Sequence, residues 1–158
     1  MRKTVVAALL LAALPAAALA INRIAVQPNT LKWGPAPPGL PPGAQVAVVT
    51  GDAGKEGPYV VRAKLPADYR FMRHTHPTAE NVTMLSGTFH IAMGDKFNLK
   101  KGEVAKAGGF FIADRDMPHF GWTTSPTVIQ IHGMGPFAIN YINPSDDPRN
   151  AKTTAKQQ

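Results

Sequence analysis

Short apolar runs separated by turn residues dominate the chain from position 44 onward. Ala44 to Thr50, Tyr59 to Leu65, Asn81 to Leu85, Thr88 to Met93, Phe110 to Ala113, His119 to Thr123, Thr127 to His132 and Phe137 to Ile142 are rich in β-branched and aromatic residues. Between them stand Gly51-Asp52-Ala53-Gly54, Ser86-Gly87, Gly94-Asp95 and Ser125-Pro126. These residue types supply the backbone freedom or restriction that tight turns need. Runs recurring about every eight to twelve residues predict an all-β sandwich or barrel over 44–142. The preceding stretch reads differently. Pro28, Pro35, Pro37, Pro38, Pro41 and Pro42, with Gly34, Gly39 and Gly43, leave no room for a helix or a central strand. Residues 21–43 are therefore expected to form a Pro-rich extended arm, lying on the domain surface or reaching across to a partner subunit. From Asn143 the sequence turns polar, and the tail 143–158 is expected to lack structure.

Composition narrows the class. The chain has 158 residues, 44% hydrophobic and 17% charged, with 14 glycines and 15 prolines. That is enough for one domain with a core, and too much punctuation for a helical bundle or coiled coil. Arg2 and Lys3 precede an apolar run, Val5 to Leu14, and Ala18-Leu19-Ala20 follows it. The order of basic, apolar and small residues is that of a secretory signal, with cleavage expected after Ala20. Pro15 interrupts the run too early for a membrane span. A periplasmic or secreted protein, free of the membrane after cleavage, is the expectation. Loss of Arg2 and Lys3 lowers the net charge from +7 to +5. The remaining basic residues are scattered rather than gathered on a stripe with aromatics, so nucleic acid is not an expected partner. With no cysteine, the fold has no disulfide framework and no thiolate ligand.

Three of the five histidines call for a joint explanation. His74 and His76 are separated by one residue, so on a strand both imidazoles point to one face. Glu80 follows past Pro77, and His119 arrives after a glycine-bounded strand and a turn. Three neutral imidazoles and a carboxylate suit one divalent ion such as Fe, Mn, Zn, Ni or Co. Alone, H-x-H is weak: paired surface histidines are commonplace.

The spacing resembles the cupin superfamily. Its first motif, G-x5-H-x-H-x(3 or 4)-E-x6-G, is matched by Asp68, His74, His76, Glu80 and Gly87, with Asp68 in place of the opening glycine. Its second, G-x5-P-x-G-x2-H-x3-N, is matched by Gly108, Asp114, Asp116, His119 and Thr123. There the proline and second glycine have become Asp114 and Asp116, and the closing asparagine is Thr123. The resemblance implies a single cupin barrel (a double-stranded β-helix, or jelly roll) and a metal held by His74, His76, Glu80 and His119. It also implies pairing into a homodimer through the sheets.

Inward-facing positions should share parity with the ligands: Val82, Met84, Gly121 and Thr123. In the late strand two sets alternate, Val128, Gln130 and His132 against Thr127, Ile129 and Ile131. Amphipathicity favours the isoleucines as core. In the other reading, Gln130 and His132 enter the metal cavity as the residues outside the metal shell that assist catalysis. His90 reads as a structural histidine, and Trp122 as packing or dimer contact. Gly133-Met134-Gly135-Pro136-Phe137-Ala138 matches a dinucleotide fingerprint only on paper, because a strand and not a helix is expected to follow. With no G-x-S-x-G elbow, serine hydrolysis is excluded. Two functional classes remain. One is a metalloenzyme acting on a small molecule, of dioxygenase, decarboxylase, lyase or isomerase type; the other is a non-catalytic metal- or ligand-binding module.

Overall fold

The computed structural model describes residues 25–94 and 96–150. The expected export segment 1–20 and the last eight residues of the tail lie outside the described residues. Among the described residues eleven strands are formed: β1 (Gly34–Pro35), β2 (Gln45–Thr50), β3 (Gly57–Leu65), β4 (Arg70–Thr75), β5 (Glu80–Ser86), β6 (Thr88–Met93), β7 (Glu103–Lys106), β8 (Phe110–Ala113), β9 (His119–Thr123), β10 (Thr127–Gly135) and β11 (Asn140–Tyr141). One sheet has the order β1-β2-β3-β10-β5-β8 and the other β11-β4-β9-β6-β7. Every pairing is antiparallel. The fold is thus all-β, as the spacing of apolar runs predicts.

The chain changes sheet between β4 and β5, and again between β5 and β6. Side chains of β4 and β5 therefore meet across the interior although they are close in sequence. Alternation selects which ones. In β5, Glu80, Val82 and Met84 are buried, and the residues between them are partly exposed. Ala63, Leu65, Val82, Met84 and Ile129 from one sheet pack with Tyr69 and Phe89 to make the main core. The whole of β9 is buried, because both of its faces are covered. His119, Gly121 and Thr123 point inward. On the other face Phe120 and Trp122 pack with Ala92, under Phe97 of the loop that follows β6. Trp122 is a packing residue, and His90 stacks on it with centroids 4.8 Å apart.

Residues 28–43 rest on the chain's own barrel. Gly34–Pro35 pairs with β2, and Lys64 Nζ sits 4.1 Å over the Trp33 ring. The Tyr69 hydroxyl donates to the Pro41 carbonyl, and the Tyr141 hydroxyl to Gly39 O at 3.0 Å. Two expectations are corrected. Phe137 to Ile142 is not a continuous strand; only Asn140–Tyr141 pairs, with β4. Before it, Phe137 N donates to Ala53 O at 2.7 Å, and the Ala138 and Ile139 carbonyls accept from side chains. Those backbone groups are then no longer free for a ladder. The polar tail is ordered up to residue 150, in 3-10 turns at Pro144–Asp146 and Pro148–Asn150. Arg149 anchors it, bonding to Asp147 and reaching Ile139 O at 2.9 Å. Local caps and one ion pair give this polar segment partners that composition does not reveal.

Candidate metal centre

His74 lies on β4, His119 opens β9, and the register places the two directly opposite each other. His76 follows the end of β4, and Glu80 opens β5 after the Pro77 turn. All four side chains are buried. The turn within the second motif is tied to the first by backbone: Asp116 N donates to His76 O at 2.9 Å, and Met117 N to Asp114 O at 3.1 Å.

Each imidazole is fixed the same way. His74 Nδ1 lies 2.6 Å from Met72 O, His119 Nδ1 2.9 Å from Met117 O, and His76 Nδ1 2.8 Å from Ala138 O. A carbonyl only accepts, so each Nδ1 carries the proton and donates it. In the neutral ring each Nε2 then holds a lone pair. One ligating nitrogen from each histidine lies within 4.8 Å of the other two. Glu80 Oε2 is 3.4 Å from His76 Nε2 and 3.8 Å from His119 Nε2. His76 Nε2 is buried with no hydrogen-bond partner. A cluster of inward lone pairs beside a carboxylate has acceptors and no donors, and a divalent cation is the group that satisfies it. The residues fit such an ion.

The electrostatics point the same way. Burial, with His119 and His76 nearby, pushes the His74 pKa down to about 3. Burial also lowers His119. Burial would lower His76 too, but the adjacent Glu80 carboxylate outweighs it and the net shift is upward. Glu80 would be raised by burial, yet the imidazoles, His76 first, hold it below the usual carboxylate range. Two neutral imidazoles and an ionised carboxylate are in the protonation states a metal requires.

A cavity of about 50 Å³ adjoins the four side chains. Its other walls are apolar or glycine: Ala63, Phe71, Val82, Phe89, Ile91, Phe111, Gly121, Ile129 and Ile131 from the strands, with Leu40, Phe137 and Ile139 over the histidines. Phe137 stacks on His76 at 4.7 Å. The parity argument therefore holds for Val82 and Gly121, while Met84 and Thr123 are buried beyond the cavity wall. Gln130 and His132 are corrected: neither lines the cavity. Gln130 Oε1 accepts from Arg62 Nε at 3.1 Å, and His132 has its ring near Phe110. The isoleucines of β10 are worth more buried than the polar pair, so the strand turns them inward.

The departures from the family motifs have structural explanations. Asp68 and Asp116, at two glycine positions, adopt φ of 59° and 58°. Aspartate is among the few other residues that tolerate this left-handed region. Gly87 (φ 82°) is kept, and a Cβ there would lie 2.4 Å from Thr127 Oγ1 and 2.5 Å from Pro126 O. Thr123, at the asparagine position, accepts from Tyr69 N at 3.0 Å and donates to Pro66 O at 2.7 Å. Its hydroxyl ties β9 to the turn that starts β4. Sequence reasoning missed Leu40, Phe137 and Ile139 as cavity walls. The alternation of Phe137 and Ile139 was the available signal.

A family model described as the ChrR cupin-like domain matches residues 21–138. No curated protein matches the chain. Among solved structures, the polyketide cyclase RemF from Streptomyces resistomycificus is 16% identical, with TM-score 0.63, covering 80% of this chain and 89% of that one. A candidate acetylacetone dioxygenase from Methylibium petroleiphilum is 18% identical, with TM-score 0.60, covering 81% and 86%. An RmlC-like cupin from Ralstonia eutropha is 19% identical, with TM-score 0.61, covering 80% and 76%. At these identities the likeness is one of fold.

Proposed function

This chain belongs to the ChrR cupin-like domain family, and from that premise we propose that it is a metal-dependent protein holding one divalent ion through His74, His76, Glu80 and His119. The observation that carries the reading is the common anchoring of three Nδ1 atoms on main-chain carbonyls, with one ligating nitrogen of each histidine within 4.8 Å of the other two. When bound, the ion supplies Lewis acidity and an open coordination position to a small molecule. The chain's own residues do the rest. The carbonyls of Met72, Met117 and Ala138 fix the imidazoles, Glu80 lowers the charge of the site, and the aromatic walls exclude water. A small-molecule enzyme of dioxygenase, decarboxylase, lyase or isomerase type is the reading we favour. Named fold neighbours include a cyclase and a candidate dioxygenase.

One observation favours the second reading, a module that captures a metal or ligand without turnover. Beyond the four proposed ligands, no titratable side chain among the described residues lines the cavity. We also propose export with cleavage after Ala20, which rests on the sequence pattern of 1–20 alone, and pairing into a homodimer.

Elemental analysis of the purified full chain tests the metal reading. We expect one equivalent of divalent metal per chain, lost in His76→Ala and in His119→Ala and retained in His90→Ala. Equal metal in His76→Ala and the unaltered protein would refute it.

A further inference from the structure

The cavity beside the four ligands is small, and its walls lack polar groups. Its volume of about 50 Å³ is about four times the roughly 10 to 15 Å³ that one water-sized group needs in a protein cavity. By that measure it has room for about four heavy atoms, the donor atom included. Apart from the ligands, its walls include no Lys, Arg, Ser, Thr, Asn or Gln among the described residues. The buried, unpartnered hydroxyls of Tyr59 and Thr78 do not line it.

Charge completes the argument. Three neutral imidazoles, one carboxylate and a divalent ion leave the site at +1. One negative charge on the donor atom neutralises that, and a second finds no cation in the walls. A hydroxyl on the rest of the ligand finds no hydrogen-bond partner either, and burying it unpaired is unfavourable.

We propose that the site selects a compact molecule with a single donor atom, at most one negative charge located on that atom, and an apolar remainder of about three heavy atoms lying against Phe71, Phe111 and Ile131. Dicarboxylates, hydroxy acids and sugars are excluded by the same walls. The inference rests on the metal reading above and narrows its substrate class. Leu40 sets the size limit, because this residue of the N-terminal arm closes the cavity from outside the barrel strands.

The test uses the full chain loaded with cobalt(II), whose visible and charge-transfer bands report both the ion and a bound thiolate. Four thiols hold the donor constant and vary the remainder. 1-Propanethiol and 2-mercaptoethanol have the same number of heavy atoms; mercaptoacetate adds a charge, and phenylmethanethiol adds bulk. We expect 1-propanethiol to bind about tenfold to a hundredfold more tightly than 2-mercaptoethanol, the factor that corresponds to an unpaired buried hydroxyl. Mercaptoacetate should bind more weakly still, and phenylmethanethiol should bind only to Leu40→Ala. Equal or tighter binding of 2-mercaptoethanol or mercaptoacetate would overturn the inference, as would equal binding of phenylmethanethiol to both proteins. Absence of any cobalt band would instead sink the metal reading. The apolar cavity is then judged by xenon in crystals of the chain: density between Phe71, Phe111 and Ile131 supports it, and none overturns it.

Discussion

Acid should destabilise the metal-free protein along a course set by its buried imidazoles. The perturbation is removal of metal by a chelator followed by a pH series. The His74 pKa is about 3 in the folded chain, from burial and then from its histidine neighbours, against 6.5 when exposed. Between those values the unfolded chain binds a proton that the folded chain refuses, so folding stability falls as pH falls. His119 is lowered for the same first reason and acts in the same direction. Glu80, held low, adds a loss that begins below about 4.5. His76 opposes them, but elsewhere. Its raised pKa contributes stability that is complete below 6.5 and lost as pH rises through its folded value. The sum is a stability that falls on the acid side of pH 6.5. From pH 6.5 to 5.5 the neutral, buried His74 loses about 1 kcal/mol, and His119 adds to the loss in the same direction. For a domain of this size 1 kcal/mol is a fall of roughly 3 to 5 °C in Tm. Differential scanning calorimetry of the chelated protein reads it directly, with a shallower slope expected for His74→Asn. A chelated protein whose Tm is flat or rising from pH 6.5 to 5.5 would refute the reasoning.

Four further outcomes follow from named contacts. Saturation with metal at about 100 times its Kd should stabilise the fold by roughly 2.7 kcal/mol, and His76→Ala should abolish that gain in thermal melts. Thr123→Val leaves the Tyr69 amide and the Pro66 carbonyl without their hydroxyl partner; urea unfolding should show a loss of about 2 to 4 kcal/mol. Asp116→Gly should keep stability within about 1 kcal/mol, whereas Asp116→Val, β-branched at positive φ, should lose about 1 to 2 kcal/mol and lower metal affinity by disturbing the turn that holds His76. Gly87→Ala should fail to accumulate as folded protein, judged by soluble yield and circular dichroism, because its Cβ meets the backbone of Pro126 and Thr127.

Much of this protein is legible without coordinates. The alternation in Glu80, Val82 and Met84 marks a strand with one buried face, because side chains on a strand point to opposite sides in turn. His74, His76, Glu80 and His119 mark one site through the resemblance of their spacing to the cupin motifs, since H-x-H alone is weak. Asp68 and Asp116 are legible as turns, because aspartate tolerates the backbone that glycine would otherwise supply. What the sequence leaves open is which face of a strand is covered, and by what. For β10, Gln130 and His132 offered one candidate face and Ile129 and Ile131 the other. The choice was made by the main core, where Ile129 is buried beside Ala63 and Val82. In β9 alternation carries no signal, because the loop bearing Phe97 buries the second face as well. Leu40, Phe137 and Ile139 come from the arm and from a segment that reads as a strand, yet they close the cavity. Periodicity is a property of neighbours along the chain, whereas burial is decided by whichever distant segment arrives to exclude the water.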